Sequence, residues 1–295
     1  MDDSTRKNLF FSFLTINKLK KTFKSIDYIN CGVPGYTSFH GKILSKNLSN
    51  KFHPNIVVVC LSNNEYEHSK MTLNEIYNTK KTISFIAKPL YQSFFFQYLY
   101  DKFRKNNINK HINTPAVPLK DYLNNIREII KNFQTSKIII LSPPRNIIFK
   151  PLSTGEFTID KTSLVLTYKA YEFIKNNNSQ SAVKLLKKAI ALDKNNYIAL
   201  HWLGKIYFNK GKIRKAILLL EESIAKDPYP MTIPVQYIIS LENLCNQLNV
   251  TFINTNKILS NSKAKLFLDR AHPNIEGNKI IAEKLYIKIH QLLKE

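Results

Sequence analysis

The chain has 295 residues with 44 Lys and Arg against 21 Asp and Glu, a formal net charge of +23, which is enough for one large or two modest domains with a full core. No stretch approaches the ~20 uninterrupted apolar residues of a membrane span and no signal peptide opens it. The charge invites a nucleic-acid reading. However, the lysines are spread over helices (Lys18, Lys20, Lys21, Lys24; Lys184, Lys187, Lys188), arginine is scarce, and no helix-turn-helix, zinc-finger or single-strand-binding signature occurs. Specific nucleic-acid binding is therefore disfavoured, and solvated basic faces with weak attraction to anionic surfaces account for the charge.

Taken in order, residues 7–24 read as a helix, 27–31 as a strand, 38–50 as a helix and 55–61 as a strand. From Ser62 to about residue 113 comes a stretch rich in aromatics, including Phe85, Tyr91, Phe94, Phe95, Phe96, Tyr98, Tyr100 and Phe103. As function this would be a lid or acyl pocket; as structure it is a helix with a broad buried face, the commoner meaning of such stripes. Residues 120–133 make another amphipathic helix, 137–141 a buried strand, and 142–146 a loop leaving the sheet's C-terminal edge, where ligands bind in folds of this class. Alternating strands and helices imply a parallel sheet covered on both faces.

Comparing residues 166–173 with 200–207 gives an offset of 34 residues, and the same offset relates Ala182 to Ala216 and Leu186 to Leu220. That period, with small residues where helices cross, is the tetratricopeptide signature. Gly204 and Ala216 would let two helices approach, Tyr207 and Leu220 would fill between them, and Asp227-Pro228 would end the unit; Lys194 stands in place of that proline in the first copy. Two repeats fall short of the three or so that stand alone, so the helix at 235–248 is expected to cap them on one side and the α/β part on the other. They would either bind a partner protein or wall a cleft. Residues 250–254 read as the last strand and 275–293 as the closing helix.

Three short motifs carry chemistry: Asn30-Cys31-Gly32-Val33-Pro34-Gly35, Ser62-Asn63-Asn64-Glu65 and Asp269-Arg270-Ala271-His272-Pro273. Together they resemble the SGNH (GDSL-like) hydrolases over about 220 residues. The resemblance implies a three-layer, doubly wound, flavodoxin-like parallel sheet with an inserted all-α tetratricopeptide segment, organised as 1–158, 159–230 and 231–295. It also implies a serine esterase acting on O-acyl groups of small molecules or sugars. The Gly35 N–H and the Asn64 amide would form the oxyanion hole, His272 would be the general base and Asp269 its orienting carboxylate. Asn146 would border the substrate. Ser62 stands where the family has glycine.

The family's nucleophile follows a buried first strand, whereas this chain opens Met1-Asp2-Asp3-Ser4. Ser4 is one candidate for it. The favoured alternative aligns Ser4 with the polar loop after the nucleophile, because a nucleophile elbow needs a strand behind it. The first strand would then be lost, or lie upstream of a start recorded internally. The location is open: cytoplasmic as written, envelope or membrane-anchored if an upstream segment exists.

The other histidines, His40, His53, His68, His111, His201 and His290, have no His-x-x-x-His or Cys-x-x-Cys company, so neither metal nor cofactor is expected. The three cysteines, Cys31, Cys60 and Cys245, form an odd set without metal spacing, with Cys31 and Cys60 expected on strands as core filling. The alternative to the esterase is a catalytically dead interaction protein working through its repeats.

Overall fold

The computed structural model describes residues 10–61, 63–66, 68–69, 72–75, 77–78, 114–151, 156, 158–228, 230, 232–260 and 265–294. The nucleophile candidate Ser4, Ser62 and the aromatic positions between 85 and 103 lie outside them. The chain divides into two compact units, one of Met1–Pro144, Tyr237–Leu268 and His272–Glu295, the other of Arg145–Gln236 and Asp269–Ala271.

The first unit holds helices α1 (Phe11–Thr22), α2 (Ser38–Lys51) and α3 (Leu119–Asn132). Its strands are β1 (Ile56–Val59), β2 (His68–Ser69), β3 (Thr114–Pro115), β4 (Lys137–Leu141) and β5 (Thr251–Ile253). β2 and β3 form a small antiparallel pair, while β1, β4 and β5 form a parallel sheet in that order, with Val57 opposite Ile138 and Ile140 opposite Phe252.

β4 is central because its side chains are apolar on both faces. Ile139 and Leu141 join a core with Ile16 and Leu19 of α1 and with Ile281, Leu285 and Ile289. Strand alternation points Ile138 and Ile140 the other way, and both are buried too. Fully burying such a side chain stabilises by about 1.5–3 kcal/mol, so this strand anchors the unit. α3 contributes Tyr122, Ile126 and Ile129, a helical stripe that is buried throughout.

The strand expected at 27–31 is absent. They pair with no strand among the described residues, and Tyr28 and Ile29 are exposed. A strand forms only where a neighbour takes up its backbone N–H and C=O groups, and none lies beside these residues among the described ones. Cys31 is consequently not on a strand, and Cys60 sits just past the end of β1. The thiols of Cys60 and Cys245 are pushed up to about 12 by burial, and burial raises that of Cys31 as well.

The second unit contains α4 (Lys161–Lys175), α5 (Ser179–Leu192), α6 (Tyr197–Asn209) and α7 (Ile213–Lys226), paired as two helical hairpins. Ala170, Ala182, Leu186, Ala189, Ala199, Leu203 and Ile206 form its core. The turns repeat as well: Asn177 (φ 57°) and Gly211 (φ 72°) hold the left-handed position at the same point of each hairpin. Asp160, Asn178 and Asn196 cap α4, α5 and α6 by accepting backbone N–H bonds three residues on. A Cβ on Gly204 would lie 2.9 Å from Leu220 Cγ and 3.3 Å from the Ala216 carbonyl oxygen, so glycine sets the closeness of α6 and α7.

α8 (Val235–Gln247), expected to cap the repeats, groups from Tyr237 onward with the α/β unit, as do α9 (Thr255–Ser260) and α10 (Ile275–Lys294).

Candidate functional site

In the α/β unit, residues 33–36 form a turn in which Tyr36 N–H donates to Val33 O at 3.2 Å, with Pro34 and Gly35 (φ 78°) at its centre. Proline fixes the first central residue and glycine supplies the left-handed second. Asn64, in the 3₁₀ turn Asn63–Tyr66 that follows β1, donates from Nδ2 to Tyr36 O at 3.1 Å. Gly35 and Asn64, far apart in sequence, are thus brought to one place. An amide carries two N–H groups, and this bond commits one of them.

Beside them Glu65 is fully buried. Ser38 N–H donates to Glu65 Oε1 at 2.5 Å, Ser38 Oγ lies 3.1 Å from Oε2, and Asn125 Nδ2 donates to Ser38 Oγ at 3.1 Å. Burial pushes the Glu65 carboxyl up to about 8, against the lowering effect of its two bonds to Ser38. Glu65 therefore ties the turn after β1 to the start of α2.

The C-terminal ends of β4 and β5 are also cross-linked. Ser142 Oγ lies 3.0 Å from Thr255 Oγ1 and accepts the Thr255 N–H at 3.0 Å, Asn256 Nδ2 donates to Pro143 O at 3.0 Å, and Asn63 Nδ2 donates to Pro144 O at 3.3 Å. Asn63 Oδ1 is buried without a hydrogen-bond partner among the described residues. The roles of Asn63, Ser38 and Asn125 have no local sequence signature, since each is a long-range contact.

The remaining expected site residues fall on both sides of the unit division. Asp269 groups with the second unit, where its Oδ1 accepts the Ala271 N–H at 2.8 Å; His272 groups with the first, its carbonyl accepting the Leu268 N–H at 2.9 Å. Asn146 holds the 269–271 segment, donating its N–H to Arg270 O at 2.7 Å and its Nδ2 to Asp269 O at 3.3 Å. The Pro273-Asn274-x-x-Gly277 continuation starts a helix, because Asn274 Oδ1 caps α10 by accepting the Gly277 N–H at 3.0 Å.

In the repeat unit, two ion pairs, one buried and one part-buried, fasten flanking chain to the helices. Arg145 makes a bidentate pair with Glu221 at 2.9 and 2.6 Å, and Arg270 pairs with Asp227 at 3.3 Å while donating from Nε to Lys150 O. Burial lowers the Arg270 pKa, with Asp227 opposing. His201 is buried, its Nε2 without a partner among the described residues, and is pulled down to about 3 by burial first and then by Lys205 and Arg270. It is a neutral core histidine.

The repeat helices nevertheless keep apolar side chains on their surface: Val165 and Tyr168 on α4, Phe208 at the end of α6, and Ile213, Ile217 and Leu218 on α7 are all more than a third exposed. Leu218 is the most exposed of these, at 67%.

Among the described residues no cluster of three or more His, Cys, Asp or Glu could hold a metal, and no helix is long and apolar enough to cross a membrane. Residues 173–229 match the family model for the tetratricopeptide repeat. No curated protein and no solved structure matches the chain significantly.

Proposed function

We propose that this protein is an interaction module whose tetratricopeptide helices bind a partner protein. The observation that carries this reading is the family match over 173–229, in a helical unit that leaves apolar side chains exposed on α4, α6 and α7. A stacked repeat buries the apolar faces of its helices against neighbouring repeats, and exposed clusters of this kind mark interaction surfaces. The test is quantitative affinity purification with the full chain as bait, comparing wild type with Tyr168→Glu on α4 and Ile217→Asp on α7. A partner depleted by either substitution supports the reading; one retained equally by both removes it.

A second reading, that the α/β unit is an SGNH-type esterase frame, is favoured by one observation. Asn64 and the Gly35 turn meet beyond the C-terminal end of β1, on the edge of a parallel sheet where ligands bind. In that reading Gly35 N–H and Asn64 hold an oxyanion, His272 takes the proton of a serine nucleophile, with Ser4 as candidate, and Asp269 orients the imidazole. Asn146 would act indirectly, by holding the 269–271 segment. The substrates would be O-acylated small molecules or sugars. Turnover of aryl acetate esters by the full chain, abolished in His272→Ala, is its test.

A further inference from the structure

The two repeats supply a template for each other. In the first, Val183 of α5 packs against the core that α5 shares with Ala199, Leu203 and Ile206 of the following helix, α6. Ile217 of α7 stands 34 residues on, at the equivalent position, and is 43% exposed; Ile213, one turn earlier, is 44% exposed. The face that a following helix covers in the first repeat is thus open in the second.

The opposite end of the stack is finished differently. Where α6 turns Leu203 and Ile206 into the core, α4 has Lys169 and Glu172, both exposed. Val165 and Tyr168, at the positions of Ala199 and Trp202, are exposed at this end as well, but a second copy stacking head to tail would also set Lys169 and the Lys175-paired Glu172 against the isoleucines of α7, which desolvates charge. The open end of α7 therefore calls for a different occupant. Lys210, Lys212, Arg214 and Lys215 surround Ile213 and are all exposed, in a chain of net charge +23.

Resting on the partner-binding reading, we infer that the exposed face of α7 takes an acidic amphipathic helix of a partner protein, docked where the first helix of a third repeat would lie. The apolar side chains of that helix cover Ile213 and Ile217 in the manner of Ala199, Leu203 and Ile206, a helix-on-groove mode of recognition. Its flanking carboxylates meet the basic start of α7, which steers association and fixes orientation.

The probe is a labelled synthetic peptide that repeats the Ala199, Leu203 and Ile206 spacing with glutamates at its solvated positions, titrated into the full chain and followed by fluorescence anisotropy. Saturable binding is expected. It weakens at least about tenfold in Ile217→Asp, weakens in the charge reversal Lys215→Glu, and falls as salt is added. Both positions are exposed, so circular dichroism and thermal unfolding of the variants should match wild type. Equal binding by wild type and both variants, or no binding, overturns the inference. So does a wild-type dimer that Ile217→Asp makes monomeric, which assigns the face to a second copy. A partner lost in Tyr168→Glu but kept in Ile217→Asp would leave the partner-binding reading standing while ending this one.

Discussion

Asn196 Nδ2 donates to Ser163 Oγ at 2.7 Å, so the residue that caps the second repeat also reaches back into the first helix of the first repeat. The same amide donates to Thr167 Oγ1 at 2.9 Å, its Oδ1 accepts the Ala199 N–H at 2.8 Å, and Ser163 Oγ passes on to Ala189 O at 2.8 Å. All of these groups are buried. The two hairpins are thereby locked in register by a closed polar network inside an apolar core.

Replacing Asn196 with leucine should therefore cost more than its volume suggests. It removes a helix cap and leaves buried hydroxyls with fewer partners, an expected loss of about 1–3 kcal/mol. Urea unfolding of the full chain, followed by the fluorescence of Trp202 in the repeat unit, measures it; an unchanged midpoint would dismiss the network.

The two units should respond to pH in opposite directions. Glu65 has its folded pKa raised to about 8, above the ordinary 4.5, so the folded state binds the proton more tightly and its contribution is lost as pH rises from about 4.5 through about 8. His201 has its folded pKa lowered to about 3 from 6.5. Its unfolded state binds the proton more tightly, and stability is lost as pH falls through that window. Hydrogen exchange resolved along the chain should show α2 loosening toward alkaline pH and α6 loosening toward acid. Glu65→Gln, which keeps a donor and an acceptor toward Ser38, should flatten the first trend, and His201→Phe the second.

If the α/β edge hydrolyses esters, Asn64→Ala should lower kcat by about 10²–10³ with little change in KM, the mark of a group that acts on the transition state. Ser4→Ala should match His272→Ala if Ser4 is the nucleophile. Full activity in His272→Ala would end the esterase reading.

Residues 137–141 were legible because the buried part of the strand, 138–141, reads as an unbroken apolar run. The repeats were legible because period 34 constrains identity at several points, with Gly204 against Leu220 as its clearest contact. The missed strand at 27–31 has a suitable local pattern, but a strand exists only if another lies beside it, which no window of sequence reports. The bond from Asn64 to Tyr36 joins two segments that the motifs had singled out separately, whereas the placement of Glu65 and Asn196 inside polar networks depends on partners 27 and 33 residues distant.

Site-specific photo-crosslinking probes the interaction module at the residues that would touch a partner. A crosslinker placed at Tyr168, Phe208 or Ile217 on the repeat helices, and at Lys279 on α10 as a control, is activated in the source cells and the products are identified by mass spectrometry. A partner-binding module should yield one recurrent protein captured from the repeat positions and absent from position 279. Capture from position 279 alone, or the same background at all four positions, would contradict it.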